Sequence, residues 1–184
     1  MGSELPTVLA RRVTAHSPWV SVVGRTVILP GRTAAEEFHS LRQSDYVSVL
    51  AVTRDGRVPL VQQYRPALEA MTLELPGGLR DGDDTPEATA VRELAEETGL
   101  QVTEPPRLLG CLSPDTGRLE NRLWCFFANV EATEIPAWKP EPGVERLLVE
   151  RPELKDWVLN GRFDHALHVA LIGLAVLHGV FDWE

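Results

Sequence analysis

The sequence predicts an α/β domain, a mixed β-sheet sandwiched between helices, preceded by an antiparallel β extension. Three observations carry this. Strand-like runs stand both before and after a well-bounded helix near residues 85–99. Two further helical stretches close the chain. Strands and helices interleaved in this way build a sheet with helical layers. The first 40 or so residues contain a β-branched run but no helical period, and they read as a separate extension at 1–44 ahead of a domain at 45–184.

In chain order, residues 20–29 are rich in β-branched side chains and end at Pro30-Gly31, a turn signal. Residues 46–53 and 58–64 are apolar runs joined by Arg54-Asp55-Gly56-Arg57, whose Asp-Gly pair predicts a hairpin. The helix at 85–99 has Thr85 as N-cap, Pro86 at its first position, Glu87 favourable to the dipole and Gly99 as its stop. Strands are expected at 107–112, 122–130 and 144–149, and helices at about 152–159 and 164–178. The last helix is strongly apolar and belongs in a core. The Pro-rich stretch 135–143 reads as an exposed loop of a kind that often carries function.

Composition excludes more than it identifies. A chain of 184 residues, 43% hydrophobic and 24% charged, is an ordinary globular protein. No stretch approaches the roughly 18 apolar residues that span a bilayer, and no membrane partner is expected. The N-terminal segment lacks the basic-then-apolar pattern of a signal peptide. Two cysteines, Cys111 and Cys125, have neither metal-type nor redox-type spacing, so a reducing cytoplasm is expected. A net charge of −9 argues against a nucleic-acid partner. It leaves room for a small anion, because a bound cation reverses the local sign.

The helix at 85–99 carries the chemistry. Glu93, Glu96 and Glu97 stand at i, i+3 and i+4, which puts three carboxylates on one face while Ala88, Val91, Leu94 and Ala95 form an apolar stripe opposite. Taken alone, this spacing fits a solvated acidic face as well as a cradle for a hard divalent cation. The flanks decide between them. Gly78, five residues, Asp84, seven residues, Arg92-Glu93-Leu94, one residue, Glu96-Glu97, one residue and Gly99-Leu100 resemble the Nudix box over 23 positions, with Asp84 where the family has Glu.

That resemblance implies the Nudix fold and a hydrolase dependent on Mg2+, with Mn2+ able to substitute. It implies that Glu93 and Glu97 bind the metal, that Glu96 contributes, and that a main-chain carbonyl near Gly77 completes the coordination. Gly78, Asp84, Arg92 and Gly99 take structural roles. Gln63-Tyr64-Arg65-Pro66 and Leu73-Glu74-Leu75-Pro76 resemble the stretch before the box in ADP-ribose and nucleoside diphosphate-sugar pyrophosphatases, and residues 113–120 resemble a loop of the same group with Asp115 in place of Gly. The implied reaction converts a nucleotide-sugar into a nucleoside monophosphate and a sugar phosphate. Arg65, Glu74 and Glu120 become substrate-site candidates by the same resemblance.

Alternatives stay open at several residues. Trp19, Trp124 and Trp138 are packing residues or, for one of them, a platform for the nucleobase, with Trp19 the candidate carried forward. His165 and His168 at i and i+3 read as packing ahead of metal ligation. The general base is Glu97 on the helix or, as in the resembling group, a glutamate of the late loop, with Glu141 ahead of Glu145. The group also implies a homodimer formed through residues 1–44. Other readings are a Nudix enzyme acting on another nucleotide, such as a nucleoside triphosphate, and a silent nucleotide-binding Nudix domain.

Overall fold

A computed structural model describes residues 4–80, 82–131, 135 and 138–184. The chain forms two compact units. One holds the N-terminal segment through Ser44 together with Ser113–Arg122, and the other holds Asp45–Leu112 and Leu123–Glu184. That Ser113–Arg122 groups with the first unit is invisible in sequence order.

The N-terminal unit is an antiparallel sheet of β1 (Thr7–Ala15), β2 (Ser21–Ile28) and β3 (Glu36–Arg42), in spatial order β1-β2-β3. The expected antiparallel extension is there, with two strands the reading did not delineate. β1 is exposed along its whole length, so it lacks the in-out alternation that would mark it.

The second unit contains two sheets. β4 (Tyr46–Thr53), β7 (Gly77–Leu79), β8 (Arg107–Leu112) and β9 (Leu123–Val130) form a mixed sheet ordered β7-β4-β9-β8, with β4 and β9 parallel. β5 (Val58–Arg65), β6 (Ala70–Glu74) and β10 (Val144–Val149) form an antiparallel sheet ordered β10-β5-β6. The expected β4–β5 hairpin is corrected here. Its turn exists, with Gly56 at φ +89° and its N–H on the Thr53 carbonyl at 2.8 Å, but the strands enter different sheets. Both are buried on both faces near this turn, so each finds its ladder elsewhere.

Three helices cover the unit: α1 (Pro86–Thr98), α2 (Arg151–Asn160) and α3 (Ala166–Leu177). Pleat alternation along β4 divides its side chains between two cores. Val47, Val49 and Ala51 meet Ala90 and Leu94 of α1, whereas Leu50 and Val52 join Leu154, Phe163, Leu171 and Ile172 from the α2–α3 side. The mixed sheet therefore lies between helical layers, as the sequence predicts. Among the described residues, no helix is long and apolar enough to cross a membrane.

The ends of α1 follow from local chemistry. Thr85 is extended (φ −68°, ψ 151°) and its hydroxyl accepts the Ala88 N–H at 3.1 Å, with Pro86 opening the helix. Gly99 closes it in the left-handed region at φ 70°, donating its N–H to the Ala95 carbonyl at 2.9 Å. Thr85→Ala removes the cap, and urea denaturation is expected to show a loss of about 1 kcal/mol.

Candidate active site

The carboxylates of α1 sit in graded environments. Glu97 is 9% exposed, Glu93 is half-buried and Glu96 is open to solvent. Paired glycines make the burial possible. A Cβ on Gly78 would lie 2.6 Å from Glu93 Cδ, so only glycine lets that carboxylate rest against the backbone. A Cβ on Gly77 would lie 2.2 Å from the Val47 carbonyl oxygen, which fixes how closely β7 approaches β4. The Pro76 carbonyl accepts the Val49 N–H at 2.9 Å and the Ser48 hydroxyl at 3.3 Å. The turn so pinned aims the Gly77 N–H at Glu97 Oε2, 2.8 Å away.

Arg92 pairs with Glu93 and Glu96, both at 2.8 Å. Asp84 offers its main-chain carbonyl to Arg80 Nε at 2.9 Å. Among the described residues Arg92 pairs with Glu93 and Glu96, while Arg65 acts on Glu97 through its charge. Burial, reinforced by the charges of Glu93 and Glu74 and opposed by the Gly77 N–H, pushes Glu97 up to about 8. Burial also raises Glu93; Arg92 opposes the rise, and the charges of Glu96 and Glu141 add to it. Two carboxylates raised by burial, Glu93 and Glu97, fit a hard divalent ion such as Mg2+.

Arg65 and Glu74, both substrate-site candidates, meet each other. The guanidinium grips the carboxylate through two hydrogen bonds of 2.7 and 2.6 Å, and Thr72 Oγ1 donates a third at 2.7 Å. Burial alone would raise Glu74, whose side chain is 4% exposed, but these donors hold it down at about 2. Next to it, the Leu75 N–H donates to His168 Nδ1 at 3.0 Å. His165 stacks on His168 at 3.8 Å and 17°.

Ligand atoms of Glu74, His165 and His168 lie within 4.8 Å of one another, yet the arrangement is wrong for a metal. Nitrogen lone pairs lie in the ring planes, and two nearly parallel stacked rings aim them side by side rather than at one point. His168 Nδ1 already accepts a hydrogen bond, so in the neutral ring Nε2 carries the proton and has no lone pair to give. Burial, with the neighbouring His165 next, drives His168 down to about 3 and keeps it neutral. These histidines pack α3 onto the end of β6.

Trp19 and Glu120 belong to the N-terminal unit. Trp19 is 69% exposed. Glu120 is bound by Arg25, by Ser40 Oγ at 2.7 Å, by Arg11 at 3.0 Å and by Arg42 at 3.4 Å. Burial would raise its carboxyl, but Ser40 and the arginines bring it to about 2. Sequence reasoning missed these arginines; their signal was at least one arginine on each of three neighbouring strands, Arg11 on β1, Arg25 on β2 and Arg42 on β3. Trp124 donates its indole N–H to Asp45 Oδ2 at 3.0 Å and packs against the α1 core. Glu145 lies on β10 opposite Gln62. Glu141 opens a turn, accepting the Val144 N–H at 3.0 Å across Pro142 and Gly143, the latter at φ +87°. Pro second and a positive-φ Gly third is the type II pattern.

A pH dependence follows for the metal-free protein. Between pH 4.5, the ordinary value, and about 8, folded Glu97 holds a proton that the unfolded chain has released. Stability from this group is therefore full below pH 4.5 and falls as pH rises toward 8. A cation in the cradle displaces that proton. Thermal melts should show Mg2+ raising the Tm more at pH 8 than at pH 5. Calorimetry at pH 7 in buffers of different ionisation enthalpy should show proton release on Mg2+ binding, lost in Glu97→Gln.

Comparison with known proteins agrees with this geometry. The model of the NUDIX domain matches residues 43–167. An ADP-ribose pyrophosphatase of Bacillus subtilis (strain 168) is 49% identical over 53 residues, a stretch spanning 29% of each chain. An ADP-sugar pyrophosphatase of Mus musculus is 30% identical over 148 residues, covering 74% of this chain and 67% of that protein. The crystal structure of an ADP compounds hydrolase superposes with a TM-score of 0.78 over 98% of this chain and 100% of that one, at 20% identity, which speaks for the fold. With the box glutamates gathered under Gly77 and Gly78 and the domain matched across most of its length, this chain belongs to the Nudix hydrolase family.

Proposed function

We propose that this protein hydrolyses the pyrophosphate bond of ADP-ribose or a nucleoside diphosphate sugar, giving a nucleoside monophosphate and a sugar phosphate. The observation that carries the proposal is the pair of buried acids with raised pKa values, Glu93 and Glu97, packed against Gly78 and Gly77, with Glu96 beside them at the surface. The substrate class is supported by the relatives named for ADP-ribose and ADP-sugars.

In this mechanism Glu93 and Glu97 would hold Mg2+ or Mn2+, with Glu96 and the Gly77 main chain contributing. The ion supplies charge neutralisation and a more acidic bound water. Glu141 takes the proton from the attacking water, with Glu145 as second candidate. Glu97 is the poorer base because its carboxylate is committed to the metal. Glu141 bears on the site already, since its charge is felt at Glu93. Arg65, oriented by Glu74, turns its half-exposed guanidinium to the substrate phosphates. Trp19 and Glu120 are the remaining substrate-binding residues of the proposal. Gly78, Asp84, Arg92 and Gly99 keep the box in shape.

The same proposal includes a homodimer through residues 1–44. β1 is an edge strand with Leu9 and Val13 exposed, the surface a second copy would cover. Cys111 and Cys125, which form no disulfide with each other, and the net charge of −9 support a cytoplasmic protein acting on a small molecule.

Glu97→Gln should lower kcat by at least about 10²-fold with the circular dichroism spectrum unchanged, and near-wild-type turnover would sink the metal-site reading. Glu141→Gln is expected to cost about 10²–10⁴ in kcat while the Mg2+ concentration for half-activation holds steady. Product identification on ADP-ribose, ADP-glucose, GDP-mannose and UDP-glucose fixes the substrate.

A further inference from the structure

The C-terminal end of α1 is completed by residues outside it. A helix leaves its last carbonyls without intrahelical partners, and its C-terminus carries partial negative charge. No basic residue occupies the last turn of α1. Instead, Trp138 donates its indole N–H to the Glu96 carbonyl at 2.9 Å, Arg146 donates to the Thr98 carbonyl at 2.6 Å, and the Ile135 N–H reaches the Gly99 carbonyl at 2.8 Å. The Arg146 guanidinium lies over the Trp138 ring, 4.9 Å from its centroid. Gly99 presses on the same ring. A Cβ there would come within 2.4 Å of Trp138 Cδ2, so glycine is required for contact as well as for its positive φ.

Trp138 and Arg146 bracket Glu141 in the chain, and both are bonded to the turn of helix that carries Glu96 and Glu97. Within that span the Pro142-Gly143 turn limits the freedom of Glu141 further. We infer that Trp138, clamped between Gly99 and Arg146, is a positioning residue that sets the register of the Glu141 loop against the carboxylate helix. It is not a nucleobase platform, because its ring and its N–H are engaged within the chain. The inference deepens the proposed function and rests on the assignment of Glu141 as base.

The test is a double-mutant cycle with hydrogen exchange beside it. Trp138→Ala should lower kcat by between about tenfold and 10²-fold, as small misplacements of a reacting group do. KM and the Mg2+ half-activation concentration should stay within about twofold of wild type, since binding is untouched. In a Glu141→Gln background the same change should have no further effect on kcat, because the group it positions is gone. Trp138→Phe keeps the ring over Arg146 and loses only the N–H, so it should fall between the two. Amide exchange over residues 138–146 should accelerate in Trp138→Ala while α2 and α3 stay protected. Multiplicative losses in the double variant, or unchanged exchange over 138–146, would overturn the inference. If Glu141→Gln alone leaves kcat intact, the base assignment falls, and the clamp is then judged by the exchange result.

Discussion

Everything at this site depends on one costly arrangement: the Glu97 carboxylate, buried and facing other carboxylates, with a single backbone N–H to satisfy it among the described residues. An ionised carboxylate in that setting is unfavourable unless a cation joins it. The surrounding structure keeps the arrangement in place regardless. Two glycines bring backbone up to the acids, a threonine cap and a left-handed glycine fix the helix ends, and Ala90 and Leu94, rather than the expected stripe through the exposed Ala88, anchor α1 on β4 and β9. Folding energy from the apolar contacts holds the acids together, and Glu97 responds by keeping its proton up to about 8.

Much of this was legible in the sequence because it is local. The cap at Thr85, the stop at Gly99 and the i, i+3, i+4 spacing of the glutamates are properties of a dozen consecutive residues. The β-branched and apolar runs that became β2, β4, β5, β9 and β10 announce themselves in the same way. The box adds a longer pattern, but its parts are still neighbours in the chain.

Partnership between distant residues was not legible. Arg65 and Glu74 looked like two independent contacts for substrate, yet β5–β6 pairing places them where they bind each other. Glu120, a substrate-site candidate in the sequence, is ringed by arginines from three strands. Trp138 could have packed anywhere. A sequence states what a side chain is able to do, and the register of strands decides with whom. The Asp-Gly turn after β4 makes the same point for backbone: its geometry is local, but which sheet each strand joins is settled by the cores on either side.

The adjacent glycines of β7 differ in a way that bears on how this family member can drift. At Gly77 the obstacle to a side chain is main chain, the Val47 carbonyl and the Ser48 Cα, which no second substitution can shorten. At Gly78 the obstacle is the end of a side chain, Glu93. A methyl group at 78 therefore has a conceivable suppressor, a shorter acid at 93, while one at 77 has none. Two glycines that look interchangeable in the sequence have unequal evolutionary freedom. The second can be exchanged for a change in the acid at 93, and the first is fixed for as long as β7 lies beside β4.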